Sequence, residues 1–141
     1  MIALGQQYGK GPLLISVLSE QQQIPIRFLE TILLDLKSRE LLTSKRGKGG
    51  GYELTRPPSA ITIGSLIRIM EGPLAPLPCA SETAYRPCDD CRDVEHCGTR
   101  IIMRQVRDAI ADVLDRTTLG DVIAKMPGTD AQPAQELMYY I

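Results

Sequence analysis

The sequence predicts a mainly α-helical chain with one small β-hairpin. Apolar residues recur at helical spacing in several segments of the 141 residues, which is the pattern of amphipathic helices. A glycine-rich basic stretch, Arg46 to Gly51, separates two short segments that suit β-strands. All four cysteines then fall within residues 79–97, a region without periodicity, before one long helical segment. These observations indicate short helices and a hairpin, followed by an irregular loop and a long helix.

Three helices are predicted before the hairpin. The residues up to Gly9 have the character of a helix end without a start signal, so we expect the first helix to be truncated. A second helix is predicted from Leu13 to Gln22. A third is predicted from Pro25 to Lys37, because proline is tolerated at the first helical position and apolar residues follow at helical spacing.

The hairpin is predicted to consist of the strands Leu41–Lys45 and Tyr52–Thr55, joined by the glycine-rich stretch. Four glycines in the five positions 47–51 permit the positive φ angles that a tight turn needs. The basic side chains of Lys45, Arg46 and Lys48 lie at or beside this turn. A further helix is predicted over residues 61–70, and it ends before a Gly-Pro pair.

The order of helix, turn, helix and basic hairpin is that of a winged helix-turn-helix, which we assign to residues 1–72. The second helix of such a pair enters a DNA major groove about 12 Å wide, and the negative potential of a narrow minor groove favours Arg in the wing. Residues 1–70 carry nine Lys and Arg against five Asp and Glu, whereas residues 71–141 carry seven against twelve. A polyanionic partner is therefore expected for the first part only. The alternative is a small helical domain whose hairpin has no role in DNA binding.

Residues 73–98 form a predicted loop, and residues 99–126 a long helix with a short closing helix. Loops of this length are usually functional or disordered. One apolar face of the long helix has the three- or four-residue spacing of a dimer interface and consists of Ile102, Val106, Ile110 and Val113. The alternative is that this face packs against its own domain. Arg107 is expected on the opposite, polar face, and residues 127–141 are expected to form a flexible tail.

The four cysteines are Cys79, Cys88, Cys91 and Cys97. In a reducing compartment their clustering favours metal ligation or redox chemistry over structural disulfides. Thiolates bind iron–sulfur clusters and zinc alike, and the spacing of Cys88 and Cys91 is also common in zinc sites. Three interpretations follow from the residues: a 2Fe–2S or 4Fe–4S cluster, a zinc ion, or a thiol switch without metal.

Other functional classes find less support in the sequence. No apolar run is long enough to span a membrane, and the first residues lack the basic region and cleavage site of a signal peptide, so we expect a cytoplasmic protein. An enzyme is not indicated, because the chain has one His and its glycine stretch lies in a hairpin rather than before a helix. An iron–sulfur carrier is the competing function, but a carrier has no use for a basic hairpin.

Several segments resemble the Rrf-type winged-helix regulators, the IscR/NsrR family. They are Ile24 to Leu42, Lys45 to Tyr52, Glu71 to Leu74, the cysteine loop and Thr118 to Asp121, so the resemblance spans roughly residues 1–125. It implies a homodimer on a palindromic DNA operator, with each recognition helix in one major groove. The positions that correspond to the recognition helix are Arg27, Phe28, Glu30 and Thr31, and Arg46 corresponds to the wing residue. Pro25 and Arg27 depart from the best-known member, which has small hydroxyl residues there.

The resemblance also implies an iron–sulfur cluster held by three loop cysteines. In family members the last two ligands are separated by five residues, as Cys91 and Cys97 are. The first ligand usually lies further upstream than Cys88 does, so either Cys88 binds in a tighter arrangement or Cys79 replaces it. Where one branch of the family has a histidine as fourth ligand, this chain has Arg100. We expect Cys88, Cys91 and Cys97 to bind, with Cys79 available to complete an all-thiolate site and the neighbouring His96 as a bystander.

Overall fold

The structure, a computed structural model, describes residues 1–127. Within this range the chain forms six α-helices and one antiparallel hairpin, which confirms the predicted fold class. The helices are α1 (Ile2–Gln6), α2 (Ile15–Gln22), α3 (Ile26–Ser38), α4 (Ile63–Met70), α5 (Gly98–Arg116) and α6 (Leu119–Lys125), and the strands are β1 (Leu42–Lys45) and β2 (Gly51–Leu54). The predicted flexible tail falls almost entirely on residues 128–141, which lie outside the described residues.

The core consists mainly of leucine side chains, and α3 supplies its centre. Leu29, Leu33 and Leu36 are buried on one side of α3, and they pack with Leu41 and Ile61 in the same cluster. Burying a side chain of this size stabilises the fold by about 1.5–3 kcal/mol. The core face therefore fixes the rotation of α3, and the opposite face is left to solvent.

The hairpin is joined to the segment that precedes α2. The strands β1 and β2 pair with Leu42 opposite Leu54 and Lys45 opposite Gly51. Leu13 forms an additional antiparallel bridge with Tyr52, in which each backbone N–H donates to the other residue's carbonyl at 2.9 Å. The predicted start of the second helix at Leu13 is therefore wrong, because this residue is extended and the helix begins at Ile15.

Gly51 makes this bridge possible. Its φ is +140°, a conformation that L side chains rarely adopt, and a Cβ at this position would overlap the carbonyl of Leu13, with the Leu13 carbonyl carbon at 2.5 Å. Gly49 also has a positive φ, +81°, but a Cβ there would meet nothing within 4 Å. The two glycines therefore serve different purposes: Gly49 shapes the turn, whereas Gly51 also permits close backbone approach.

The junction of α5 and α6 is docked on the start of α4. The Ile63 N–H donates to the carbonyl of Thr117, and the Leu119 N–H donates to the carbonyl of Ile61, both at 2.8 Å. The helix α6 also packs against α1, where a Cβ on Gly5 would lie 2.5 Å from Ile123 Cδ1. The C-terminal end of α5 is thus fixed to the domain that carries the hairpin.

An ion pair strengthens this junction. The guanidinium of Arg68 on α4 donates two hydrogen bonds to the carboxylate of Asp115 on α5, at 2.6 and 2.9 Å. These hydrogen bonds hold the pKa of Asp115 below its ordinary value. Gly64 lies one turn before Arg68, and a Cβ there would overlap the Asp115 carboxylate, with Cγ at 3.0 Å. The absent side chain at position 64 therefore leaves the space that the carboxylate occupies.

Candidate nucleic-acid interface and thiol site

The solvent face of α3 carries the four predicted recognition residues. Arg27, Phe28, Glu30 and Thr31 are all exposed, with Phe28 at 63% of its full accessibility. They lie away from the leucines that anchor α3 in the core, so the same periodicity that buries one side presents these residues on the other. An exposed aromatic residue such as Phe28 is able to make apolar contact with a base.

The predicted cations of the hairpin are also exposed. We call residues 45–51 the wing, and its basic residues are Lys45, Arg46 and Lys48. Within residues 1–127 none of the three forms an ion pair with a carboxylate. Their charges are therefore available to a polyanion, and the glycines between them leave the backbone unobstructed.

A direct contact links α3 to the hairpin. The ammonium group of Lys37, near the end of α3, donates a hydrogen bond of 2.7 Å to the Ser44 hydroxyl on β1. The side chains of Leu36 and Leu41 are also buried where the end of α3 leads into β1. The exposed face of α3 and the wing thus belong to one packed unit, as a combined nucleic-acid surface requires.

All four cysteines line one cavity of about 270 Å³. Cys79 is buried on a short 3-10 turn, Pro78–Ala80, whereas Cys88 is exposed and the other two are half-buried. Cys97 precedes the first residue of α5, and the Cys91 N–H donates to the Cys88 carbonyl at 3.2 Å in a tight turn. The structure therefore brings together thiols that are up to 18 positions apart in the sequence.

The donor set of this cavity suits a thiolate-bound metal centre. Four cysteines are the usual ligands of 2Fe–2S and 4Fe–4S clusters, and they also bind zinc. Among residues 1–127 no three His, Cys, Asp or Glu side chains are arranged around a single ion position.

A hydrogen bond with Cys79 raises the pKa of the Cys88 thiol above its ordinary value. Since thiolates are the ligands, binding of a metal would release protons from these groups.

His96 does not line this cavity. Its side chain is 82% exposed, and Nδ1 lies 2.8 Å from an Asp93 carboxylate oxygen. The residue contacts its own loop, as expected of a bystander.

Two arginines of α5, Arg100 and Arg107, hold the cysteine loop, a role that no motif in the sequence indicates. Arg100 donates from Nε to the carbonyl of Cys79 at 2.9 Å, and Arg107 donates from Nη1 to the carbonyl of Ala80 at 2.6 Å. The expected placement of Arg107 on the polar outer face is wrong, because the residue is only 8% exposed. The seven-residue separation places both arginines on one side of α5, but nothing local in the sequence reveals the carbonyls that they meet.

The predicted apolar face of α5 is exposed along most of its length. Ile102, Val106 and Val113 are 52%, 39% and 63% exposed, and Ile110 lies with Val106 and Val113 along a shallow, wholly apolar groove. The alternative prediction, that this face packs against its own domain, finds no support in these exposures. In residues 1–127 there is no helix with the length and apolar character needed to cross a membrane.

Known proteins match both the sequence and the fold. The Rrf2 family model, described as an iron-dependent transcriptional regulator, matches residues 1–125. An rrf2-like HTH-type transcriptional regulator of Rhodobacter capsulatus is 42% identical over 112 residues, which cover 79% of this chain and 75% of the relative. The HTH-type transcriptional regulator CymR of Bacillus subtilis is 31% identical over 141 residues, which cover 100% of this chain and 91% of CymR.

Two solved structures share the architecture. CymR, described as the global cysteine regulator of B. subtilis, matches with a TM-score of 0.72 and 31% identity, over 89% of this chain and 88% of CymR. IscR of T. potens matches with a TM-score of 0.69 and 30% identity, over 99% of this chain and 87% of IscR. The predicted winged helix-turn-helix and the predicted family are thereby confirmed. The chain belongs to the Rrf2 family of helix-turn-helix transcriptional regulators.

Proposed function

We propose that this regulator binds a DNA operator through α3 and the wing. The contacting residues are Arg27, Phe28, Glu30 and Thr31 on α3 and Lys45, Arg46 and Lys48 in the wing. Support comes from their shared exposure, from the absence of ion pairs at the wing cations within residues 1–127, and from the Lys37–Ser44 link between the two elements. Neutralisation of phosphates by these cations makes the affinity fall with salt. The protein acts in the cytoplasm, where its DNA is.

The operator-binding unit is a homodimer that pairs through α5. Its interface consists of Ile102, Val106, Ile110 and Val113, and the support is the exposure of this apolar face in the single chain. Two copies of the winged domain then contact two half-sites, because a two-fold protein matches a palindromic site.

The cysteines form the sensor and hold an iron–sulfur cluster. Cys88, Cys91 and Cys97 are its ligands, and Cys79 is either the fourth ligand or the substitute for Cys88. The observation that carries this proposal is the convergence of all four thiols on one cavity at the start of α5. A bound cluster supplies a redox centre whose potential depends on exposure and on hydrogen bonds to sulfur. The chain's own contribution is to bring the buried Cys79 and the exposed Cys88 to one place.

Two alternatives to a cluster would use the same cavity. A zinc ion uses the same thiolates. A thiol switch without metal is favoured by the cavity itself, because the buried Cys79 and the exposed Cys88 both line it. A solved structure of Staphylococcus aureus CymR, 26% identical to this chain, is of its oxidised form.

Anaerobic purification followed by metal analysis and a visible spectrum tests the cluster. We expect bound iron with visible absorbance in the wild type, and the loss of both in Cys91→Ala. Comparison of Cys79→Ala with Cys88→Ala then identifies the third loop ligand. The variant that lacks this ligand should lose as much iron as Cys91→Ala does. Stoichiometric zinc without iron would contradict the cluster, and a metal-free wild type with one oxidisable thiol pair would support the switch.

DNA titrations at two salt concentrations test the remaining alternative, an iron–sulfur carrier. A regulator binds a duplex with an affinity that falls steeply as salt increases. A protein that carries iron and has no measurable affinity for any duplex, even at low salt, would be a carrier instead.

A further inference from the structure

The cysteine cavity is attached to α5 at one particular point. Of the four thiols, Cys79 alone is buried, at 5% exposure. The 3-10 turn that carries it, Pro78–Ala80, packs directly against α5. Cys88 is exposed and Cys91 is half-buried on the irregular segment before α5, and the half-buried Cys97 directly precedes that helix. A site built from these thiols therefore has one buried member, Cys79, whose turn is fixed against α5, and three members that are more exposed to solvent.

Two guanidinium groups produce this fixation. Arg100 donates to the carbonyl of Cys79 itself, and its guanidinium carbon lies 5.7 Å from the centroid of the Tyr85 ring. Arg107, two turns later, donates to the carbonyl of Ala80 and also contacts the carboxylate of Glu82 at 3.1 Å. Backbone carbonyls that accept hydrogen bonds from charged donors are held more firmly than those bonded to neutral ones.

Burial makes Arg107 the more informative of the pair. Its side chain is 10% exposed, and its charge is balanced by Glu82 and by the adjacent Asp108. Placing a guanidinium in such a position is costly unless its donors are used. Here they are used on the cysteine turn and on the carboxylates beside it, rather than on the core of the winged domain.

The position of the arginines along α5 connects the thiols to the apolar face. Ile102 and Val106 of that face lie between Arg100 and Arg107 in the helix. At its other end the same helix is joined to the winged domain by the Arg68–Asp115 ion pair. A shift of the Cys79 turn would therefore act on a helix that also carries the proposed dimer face and is joined to the DNA-binding domain.

We propose that Arg100 and Arg107 form a clamp that fixes Cys79 against α5 and couples the thiol site to DNA binding. Both are positioning residues, because they act through the backbone of the cysteine turn and not on the cluster or on DNA. The coupling rests on the proposed sensing function, whereas the fixation of Cys79 does not.

Thiol alkylation tests the fixation in the reduced, metal-free, full-length protein. The measured quantities are the rates at which iodoacetamide modifies Cys79 and the exposed Cys88, determined by mass mapping of peptides. In Arg107→Gln and in Arg100→Gln, modification of Cys79 should accelerate about tenfold or more. Each variant loses one charged hydrogen bond, so the Cys79 turn opens more often and exposes the thiol. Modification of Cys88 should stay close to its wild-type rate.

The matched control is Arg104→Gln. Arg104 lies on the same helix between the clamp residues, is exposed, and forms no ion pair within residues 1–127. This variant removes the same charge and should leave both alkylation rates unchanged. If Arg107→Gln does not fold, Arg100→Gln decides, because Arg100 is only half-buried whereas Arg107 is buried. Unchanged modification of Cys79 in a folded Arg100→Gln variant would overturn the clamp.

Operator affinity tests the coupling. The probe is a duplex selected by the wild type from a random pool, and the readout is the ratio of its affinities for iron-loaded and metal-free protein. In Arg107→Gln this ratio should move towards one, while Arg104→Gln keeps the wild-type ratio. If Arg107→Gln alkylates rapidly at Cys79 but keeps the affinity ratio of the wild type, the coupling is overturned. If the wild type itself binds the operator equally well with and without iron, the sensing function is refuted. The alkylation rates would still decide whether the clamp exists.

Discussion

Replacing Gly51 by alanine should destabilise the protein far more than the same change at Gly49. Both residues have positive φ, 140° and 81°, so each variant loses some backbone stability. At Gly49 the added Cβ enters open space, and the cost is about 1 kcal/mol for a left-handed alanine. At Gly51 the Cβ overlaps the backbone of Leu13, with the carbonyl carbon at 2.5 Å. Strand β2 and the Leu13 segment cannot keep their present spacing in that variant.

The magnitude at Gly51 follows from what must be given up. The strained φ costs about 1–3 kcal/mol. The two Leu13–Tyr52 hydrogen bonds, both 2.9 Å, contribute about 0.5–1.5 kcal/mol each. Gly51→Ala should therefore lower the free energy of unfolding by about 4 kcal/mol, a large share of the 5–15 kcal/mol typical of whole proteins.

Urea denaturation of the two variants beside the wild type measures this difference, with operator affinity as a second readout. We expect Gly49→Ala to keep nearly full DNA affinity, because the wing remains attached to the segment before α2. Gly51→Ala should bind weakly, because the wing is released from that segment. Equal losses of stability in the two variants would refute the reasoning, since the close approach to Leu13 would then have no energetic weight.

Four other changes test the remaining assignments. Arg46→Ala should weaken operator binding by about 1–3 kcal/mol if its side chain contacts a base or a narrow minor groove, and unchanged affinity would remove it from the interface. Val106→Asp should yield monomers in sedimentation, because it places a charge in an apolar seam; a folded variant that remains dimeric would exclude this face. Cys97→Ala should lose most bound iron and visible absorbance, and full iron content would contradict its role as a ligand. Asp115→Asn should lower stability at neutral pH, because the hydrogen bonds from Arg68 hold the pKa of the Asp115 carboxyl below its ordinary value. The benefit of these bonds is lost as the pH falls through that pKa, so the stability difference between wild type and variant should shrink below about pH 4. A difference that persists unchanged in acid denaturation profiles would contradict the ionic role of Asp115.

The local features of the fold could be predicted because their causes are local. The leucines of α3 repeat at helical spacing, so its buried face follows from the sequence, and Arg27 is exposed as expected. Phe28 is exposed as well, although periodicity groups it with the leucines, and only the family resemblance placed it among the recognition residues. The hairpin follows from its glycines. Sequence alone treats these glycines alike, however, and does not distinguish Gly51 from Gly49, because the difference lies in a contact with Leu13, 38 positions earlier.

The connections of α5 could not be predicted, for a related physical reason. Arg107 belongs to a helix with alternating apolar and charged residues, and periodicity assigns such a charge to solvent. Its burial depends on the Ala80 carbonyl, 27 residues earlier. A backbone carbonyl leaves no trace in residue type. The same limit applied to Cys79, whose place beside the other thiols is set by a 3-10 turn that periodicity does not reveal.

Pairing through the exposed apolar face of α5 would make the stability and the DNA affinity of this protein depend on its concentration. In the proposed homodimer the second chain buries Ile102, Val106 and Val113, so association and stability are linked by mass action. The melting temperature should therefore rise with protein concentration. Spectra recorded at high concentration and DNA titrations recorded at high dilution would then sample different populations. Operator affinities measured below the dimer dissociation constant include the free energy of assembling two chains as well as that of contacting DNA.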